Sequence, residues 1–132
     1  MSLLRRVLVL QATVWAVFGV AIAVAPASLL DAAFGLAARS DDTFVRVSGI
    51  LAFSLALLMV LVARRLDDLW WWSWAFVIAA GGSALVSGAH ALLGVPAGSP
   101  VAGWWAFAAV SAAFAIGLIA GLARAGVDRP VT

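Results

Sequence analysis

The chain has 132 residues, 66% of them hydrophobic and 11% charged, with a mean hydropathy of +1.15; soluble domains are only about half apolar. A chain of this length cannot hide so much apolar surface from water, so the composition excludes an ordinary soluble fold and predicts an integral membrane protein of one domain, residues 1–132. The net charge of +2 comes from eight arginines, with no lysine, against six aspartates; no basic run exceeds two residues, so nothing points to nucleic acid.

Missing residue types remove whole mechanisms. Without cysteine there is no thiol relay and no thiolate metal site, and without lysine no Schiff base. Glutamate is absent too, and every aspartate falls in a loop or at a helix end, which leaves no buried carboxylate for proton-coupled transport. The lack of Lys, Asn and Tyr beside abundant Ala, Val, Gly and Arg fits a GC-rich bacterial genome. The expected location is therefore the bacterial cytoplasmic (inner) membrane, crossed several times.

Four apolar stretches, 7–25, 45–62, 69–93 and 101–123, each approach or exceed the length that spans a hydrocarbon core. The first follows Arg5 and Arg6 and ends in small residues, as a signal peptide would. It is longer than a usual signal core, and Pro26 follows the best cut site, so it is expected to stay attached. Ala12, Ala16, Gly19 and Ala23 form a small-residue stripe suited to close helix packing. Trp15 lies mid-span, one turn from Gln11 and on a face with Phe18 and Ile22; its indole N–H needs an acceptor, so this face is expected to point inward.

After this span, Ser28 is placed to cap a short helix with Leu29, Leu30, Ala33 and Phe34 on its apolar face, lying on the outer membrane surface. The second span opens at Arg46, shortly after Asp41 and Asp42. An arginine at a helix end ordinarily snorkels toward water; the alternative is pairing with an aspartate or an anionic head group over a shallow outer cavity.

Arg64 and Arg65 separate the second span from the third, whose start carries Trp70, Trp71, Trp72 and Trp74. With Trp104 and Trp105 at the start of the fourth span, six of the seven tryptophans sit at predicted interfaces, where an aromatic belt anchors helix ends; a ligand-stacking cluster is the other reading. The connection 94–103 is rich in turn residues. On the fourth span Ala113, Gly117 and Gly121 repeat the small-residue spacing.

His90 is the only histidine, and helical spacing puts it on one face with Ser83 and Ser87. This face should meet protein or water. A histidine that ties helices by hydrogen bonding, a ligand or proton site, and a metal or haem ligand remain open. The last is the weakest, because Met59 falls near the other end of its helix at about 1.5 Å per residue. The candidate ligand-binding set is His90, Ser87, Ser83, Arg46, Trp104 and Trp105, with no catalytic residue, no metal site and no cofactor expected.

The predicted fold is an all-α integral membrane four-helix bundle. Arg5, Arg6, Arg64, Arg65, Arg124 and Arg129 fall on one side, which the positive-inside rule makes cytoplasmic together with both termini. The ends of the two helical hairpins are faintly alike, as in GVAIAVAPAS and GAHALLGVPAGS, and an internal duplication is one reading of that likeness. The run RVSGILAFSLALLMVLVARR from Arg46, preceded by SDD and by a proline after the first span, resembles small uncharacterised DoxX-like four-helix bacterial membrane proteins. That resemblance covers most of the chain and implies an accessory role beside redox or stress-related membrane proteins. The leading expectation is a non-enzymatic accessory or scaffold subunit that self-associates or docks on a larger membrane complex. The alternative is a carrier or binding protein for a hydrophobic or lipid-like molecule entering from the outer leaflet.

Overall fold

The computed structural model describes residues 2–35, 43–95 and 98–127, and the described residues are helical apart from short connections. Four long helical segments, Ser2–Val24, Thr43–Arg64, Leu66–Leu93 and Ala102–Gly126, are long and apolar enough to cross a membrane, with mean hydropathies of 1.7 to 2.3. Four long apolar helices thus fall on the four apolar stretches of the sequence, each starting or ending a few residues from its expected limit. In order, the helices are α1 (Ser2–Val24), α2 (Ala27–Phe34), α3 (Thr43–Arg64), a single turn α4 (Leu66–Leu69), a 3-10 turn over Trp70–Trp72, α5 (Ser73–Leu93) and α6 (Ala102–Val127).

Glycine decides how α1 and α3 meet. A Cβ on Gly19 would lie 2.7 Å from the Gly49 carbonyl oxygen, and one on Gly49 would lie 2.6 Å from the Gly19 oxygen. Only hydrogen at both positions allows this approach, and it makes α1 and α3 the most extensively packed pair. On the opposite flank of α1, Gly121 of α6 receives Leu4 and Gly117 receives Val7. The stripe on the first span, and Gly117 and Gly121 of that on the fourth, are thus used inside the bundle, whereas Ala113 is exposed.

The helices follow the order α3, α1, α6, α5 across the bundle, because α1 packs on both α3 and α6, and α6 on α5. Between α3 and α5 contact is slight and comes with the turn that joins them. The start of α1, the end of α6 and the α3–α5 turn share one end, here termed proximal: Leu4 meets Gly121, and Arg5 Nε donates to Ala63 O at 3.1 Å. The core thickens there around Leu4, Leu8, Met59, Leu66 and Leu118, all fully buried.

The short helix after the first span is present, but its start differs from expectation. Pro26 occupies the N-cap position with φ −61° and ψ 144°, no side chain caps the helix, and Ser28 lies inside the first turn. Proline pre-sets the extended conformation that a cap residue needs, so the start does not depend on a serine oxygen. Of the predicted apolar face, Leu30 is buried and Phe34 half-buried, whereas Leu29 and Ala33 face outward. The helix ends at Gly35 in the left-handed region at φ 62°, whose N–H returns to Asp31 O at 2.7 Å.

Candidate functional site

Of the polar residues singled out from the sequence, His90, Trp104 and Arg46 lie toward the distal end, opposite the α3–α5 turn, in two separate groups, and Ser83 lies midway along α5. His90, in the last turn of α5, meets Trp104 of α6 edge to face, with ring centroids 4.5 Å apart and planes at 64°. Gly94 makes room for this packing, since a Cβ there would lie 2.5 Å from His90 Nδ1. Trp104 then straps α2 to the bundle: its Nε1 donates to Phe34 O at 2.8 Å, and its ring meets Phe34 edge to face at 5.4 Å. Gly103 permits the approach, because a Cβ on it would collide with Ala33 O.

Arg46 belongs to the other group. Its Nη1 donates to Ala23 O at 2.8 Å, so the guanidinium covers a carbonyl of the last turn of α1, which has no partner inside that helix. A cation at a helix C-terminus is favoured by the backbone dipole as well. Asp41 and Asp42, the partners considered from sequence, lie outside the described residues, as does Arg39. Ser87 is buried on α5, Ser83 is half-buried, and Trp105 turns outward. The structure therefore joins His90 to Trp104, keeps Ser83 and Ser87 along the same helix, and places Arg46 at the α1–α3 seam.

Between these groups lies an aromatic seam that the sequence hinted at only through Trp15 and Phe18. Phe18 of α1 stacks on Phe107 of α6 at 5.0 Å and 22°, and also meets Phe34 edge to face at 6.3 Å. Two lobes flank this stack, both bounded by Phe18, Phe34 and Phe107. One, of about 260 Å³, includes Trp15 and the buried Ser111; the other, of about 250 Å³, includes Ile22, Ser48 and Trp104. Their walls are almost wholly apolar, so they suit hydrocarbon rather than a charged substrate. His90 lines neither lobe and stands behind Trp104.

Two buried side chains with unpaired polar atoms were not among the candidates. Gln11 is fully buried on the stripe of Leu4, Leu8 and Trp15, and neither its Oε1 nor its Nε2 has a hydrogen-bond partner. Ser73 Oγ, at the start of α5, is buried and unpaired as well. Among the described residues no three His, Cys, Asp or Glu side chains come together as metal ligands.

Comparison with protein-family models, with curated proteins and with solved structures gives no match to this chain.

Proposed function

We propose that this chain is a non-enzymatic accessory or scaffold subunit of the bacterial cytoplasmic membrane, which self-associates or docks on a larger membrane complex through the exposed face of α5. Four apolar helices supply the spans. The arginines near the proximal end orient that end toward the cytoplasm under the positive-inside rule. The likeness of the Arg46 run to DoxX-like proteins fits the same reading.

One observation carries the docking face. Cβ atoms on Gly81, Gly82 and Gly88 would meet nothing within 4 Å, while Ile78, Leu85 and Val86 beside them are strongly exposed. Elsewhere in the bundle the helix glycines at Gly19, Gly49 and Gly121 have backbone opposite them. Small residues flanked by large ones form the surface on which a neighbouring membrane helix packs closely, since lipid tails offer no hydrophobic gain for association.

A photo-reactive residue at Leu85, cross-linked in intact cells, tests this. The expected result is one adduct of discrete mass, absent when the same probe replaces Ile116 on the exposed face of α6. No adduct at Leu85, or equal yields at both positions, would end the docking reading.

The second reading, a carrier for a hydrophobic or lipid-like molecule from the outer leaflet, is favoured by the two lobes beside the Phe18–Phe107 stack. His90, Ser87, Ser83, Arg46 and Trp105 line neither lobe, so the chemistry of that reading rests on shape and on Trp104, Ser48 and Ser111.

A further inference from the structure

We propose that the slot between α3 and α5 near the proximal end binds one anionic phospholipid, with an acyl chain between the helices and the phosphate at Arg64 and Arg65. The inference rests on the membrane part of the function above and is independent of docking at the α5 glycine face.

The slot has a volume of about 370 Å³ and is lined by Leu55, Leu58, Leu61, Leu69, Trp72 and Phe76 among others. It exists because Leu66, fully buried, pins the α3–α5 turn to the core while the two helices barely touch beyond it. Its walls are leucine and aromatic carbon, which fits a hydrocarbon chain and offers a polar substrate nothing. Such a slot alone would accept any apolar occupant; the polar groups around its proximal end narrow the choice.

Arg64 ends α3 and Arg65 follows it in the proximal turn, a few residues beyond Leu58, Leu61 and Val62 of the slot wall, so both arginines stand in the turn that joins the two walls. Arg65 approaches Asp68 at 3.8 Å, and both side chains are largely exposed. A pair of that kind contributes little and is readily exchanged for a stronger acceptor. Arg64 is exposed beside it and forms no ion pair among the described residues. Two neighbouring guanidinium groups suit a phosphate, which accepts charge-assisted hydrogen bonds from both. Trp72 is exposed on the lip, and tryptophan settles at the depth of lipid glycerol and carbonyl groups.

The test uses the full chain in mild detergent, with native mass spectrometry after adding phosphatidylglycerol or phosphatidylcholine of the same acyl chains. One phosphatidylglycerol per chain is expected, retained at least about tenfold better than phosphatidylcholine, the ratio that about 1.4 kcal/mol produces. Arg64→Gln with Arg65→Gln should abolish that preference, and Leu58→Trp, which fills the slot, should release both lipids. Ala75 also lines the slot, and Ala75→Leu serves the same purpose if Leu58→Trp fails to fold by circular dichroism. Equal retention of the two lipids, or retention that survives the arginine or slot-filling changes, overturns the proposal. So does a dimer that slot filling dissociates, since a second copy would then occupy the slot. Release of the wild-type chain from membranes by alkaline carbonate would instead overturn the membrane reading itself.

Discussion

At Gln11 a primary amide sits fully buried among leucines with both heteroatoms unpaired, and the physical consequence can be measured. Leaving a buried donor or acceptor unpaired costs about 1–3 kcal/mol, whereas an apolar group of similar size carries no such penalty. Gln11→Leu is therefore expected to raise thermal stability in detergent, by on the order of 1 kcal/mol once imperfect packing is allowed for. A clear loss of stability would show that the amide holds a bridging water or another partner. The sequence placed Gln11 and Trp15 on an inward face, and the burial of Gln11 agrees. The missing hydrogen bonds could not be read there, because they depend on what the facing helices present. Arg46 illustrates the same limit: a snorkelling arginine and one covering a helix end look alike in sequence, and only the backbone of α1 distinguishes them.

At the scale of helices, legibility follows how local the cause is. Span length and hydropathy are local properties, and all four long helices were legible from them. The small-residue stripes were legible as packing surfaces but not as to their partners. Those partners are α1 on α3 at Gly19 and Gly49, and α1 on α6 at Gly117 and Gly121. The glycines of α5 resemble the others in sequence, yet nothing opposes them. That contrast yields a paired expectation. A methyl group on Gly49 would stand 2.6 Å from Gly19 O and 2.7 Å from Ala23 N, so α1 and α3 must separate. Gly49→Ala should lower stability by about 1–3 kcal/mol, the usual cost of overpacking. Gly82→Ala enters open space and should leave the melting curve unchanged or slightly raised, since alanine is the better helix former. Equal responses of the two variants would mean that the α1–α3 crossing is looser than its geometry.

The whole molecule consists of two hairpins, α1 with α3 and α5 with α6, as a duplication would produce, yet they do not meet symmetrically. A two-fold axis would make the α1–α6 contact equal the α3–α5 contact, whereas the first is extensive and the second slight. Helix α2 adds to the difference, because Trp104 and Gly103 receive its end on the α6 side. The distal end is thereby closed over the α1–α6 seam, and α3 and α5 diverge from the proximal turn. Orientation is the remaining whole-molecule property, and the proposed one is argued from charge. Arg5, Arg6, Arg64 and Arg124 fall near the proximal ends of their helices and Arg65 in the turn between α3 and α4, the positions that the positive-inside bias weighs. Single cysteines are clean probes in a chain that has none. Asp31, exposed on α2, and Asp67, exposed on the proximal turn, mark opposite ends. In intact cells a membrane-impermeant maleimide should label Asp31→Cys at once and Asp67→Cys only after permeabilisation. The reverse pattern would invert the molecule and move the phospholipid slot to the outer leaflet. Immediate labelling of both would mean that the helices do not separate two compartments, whatever their length and hydropathy.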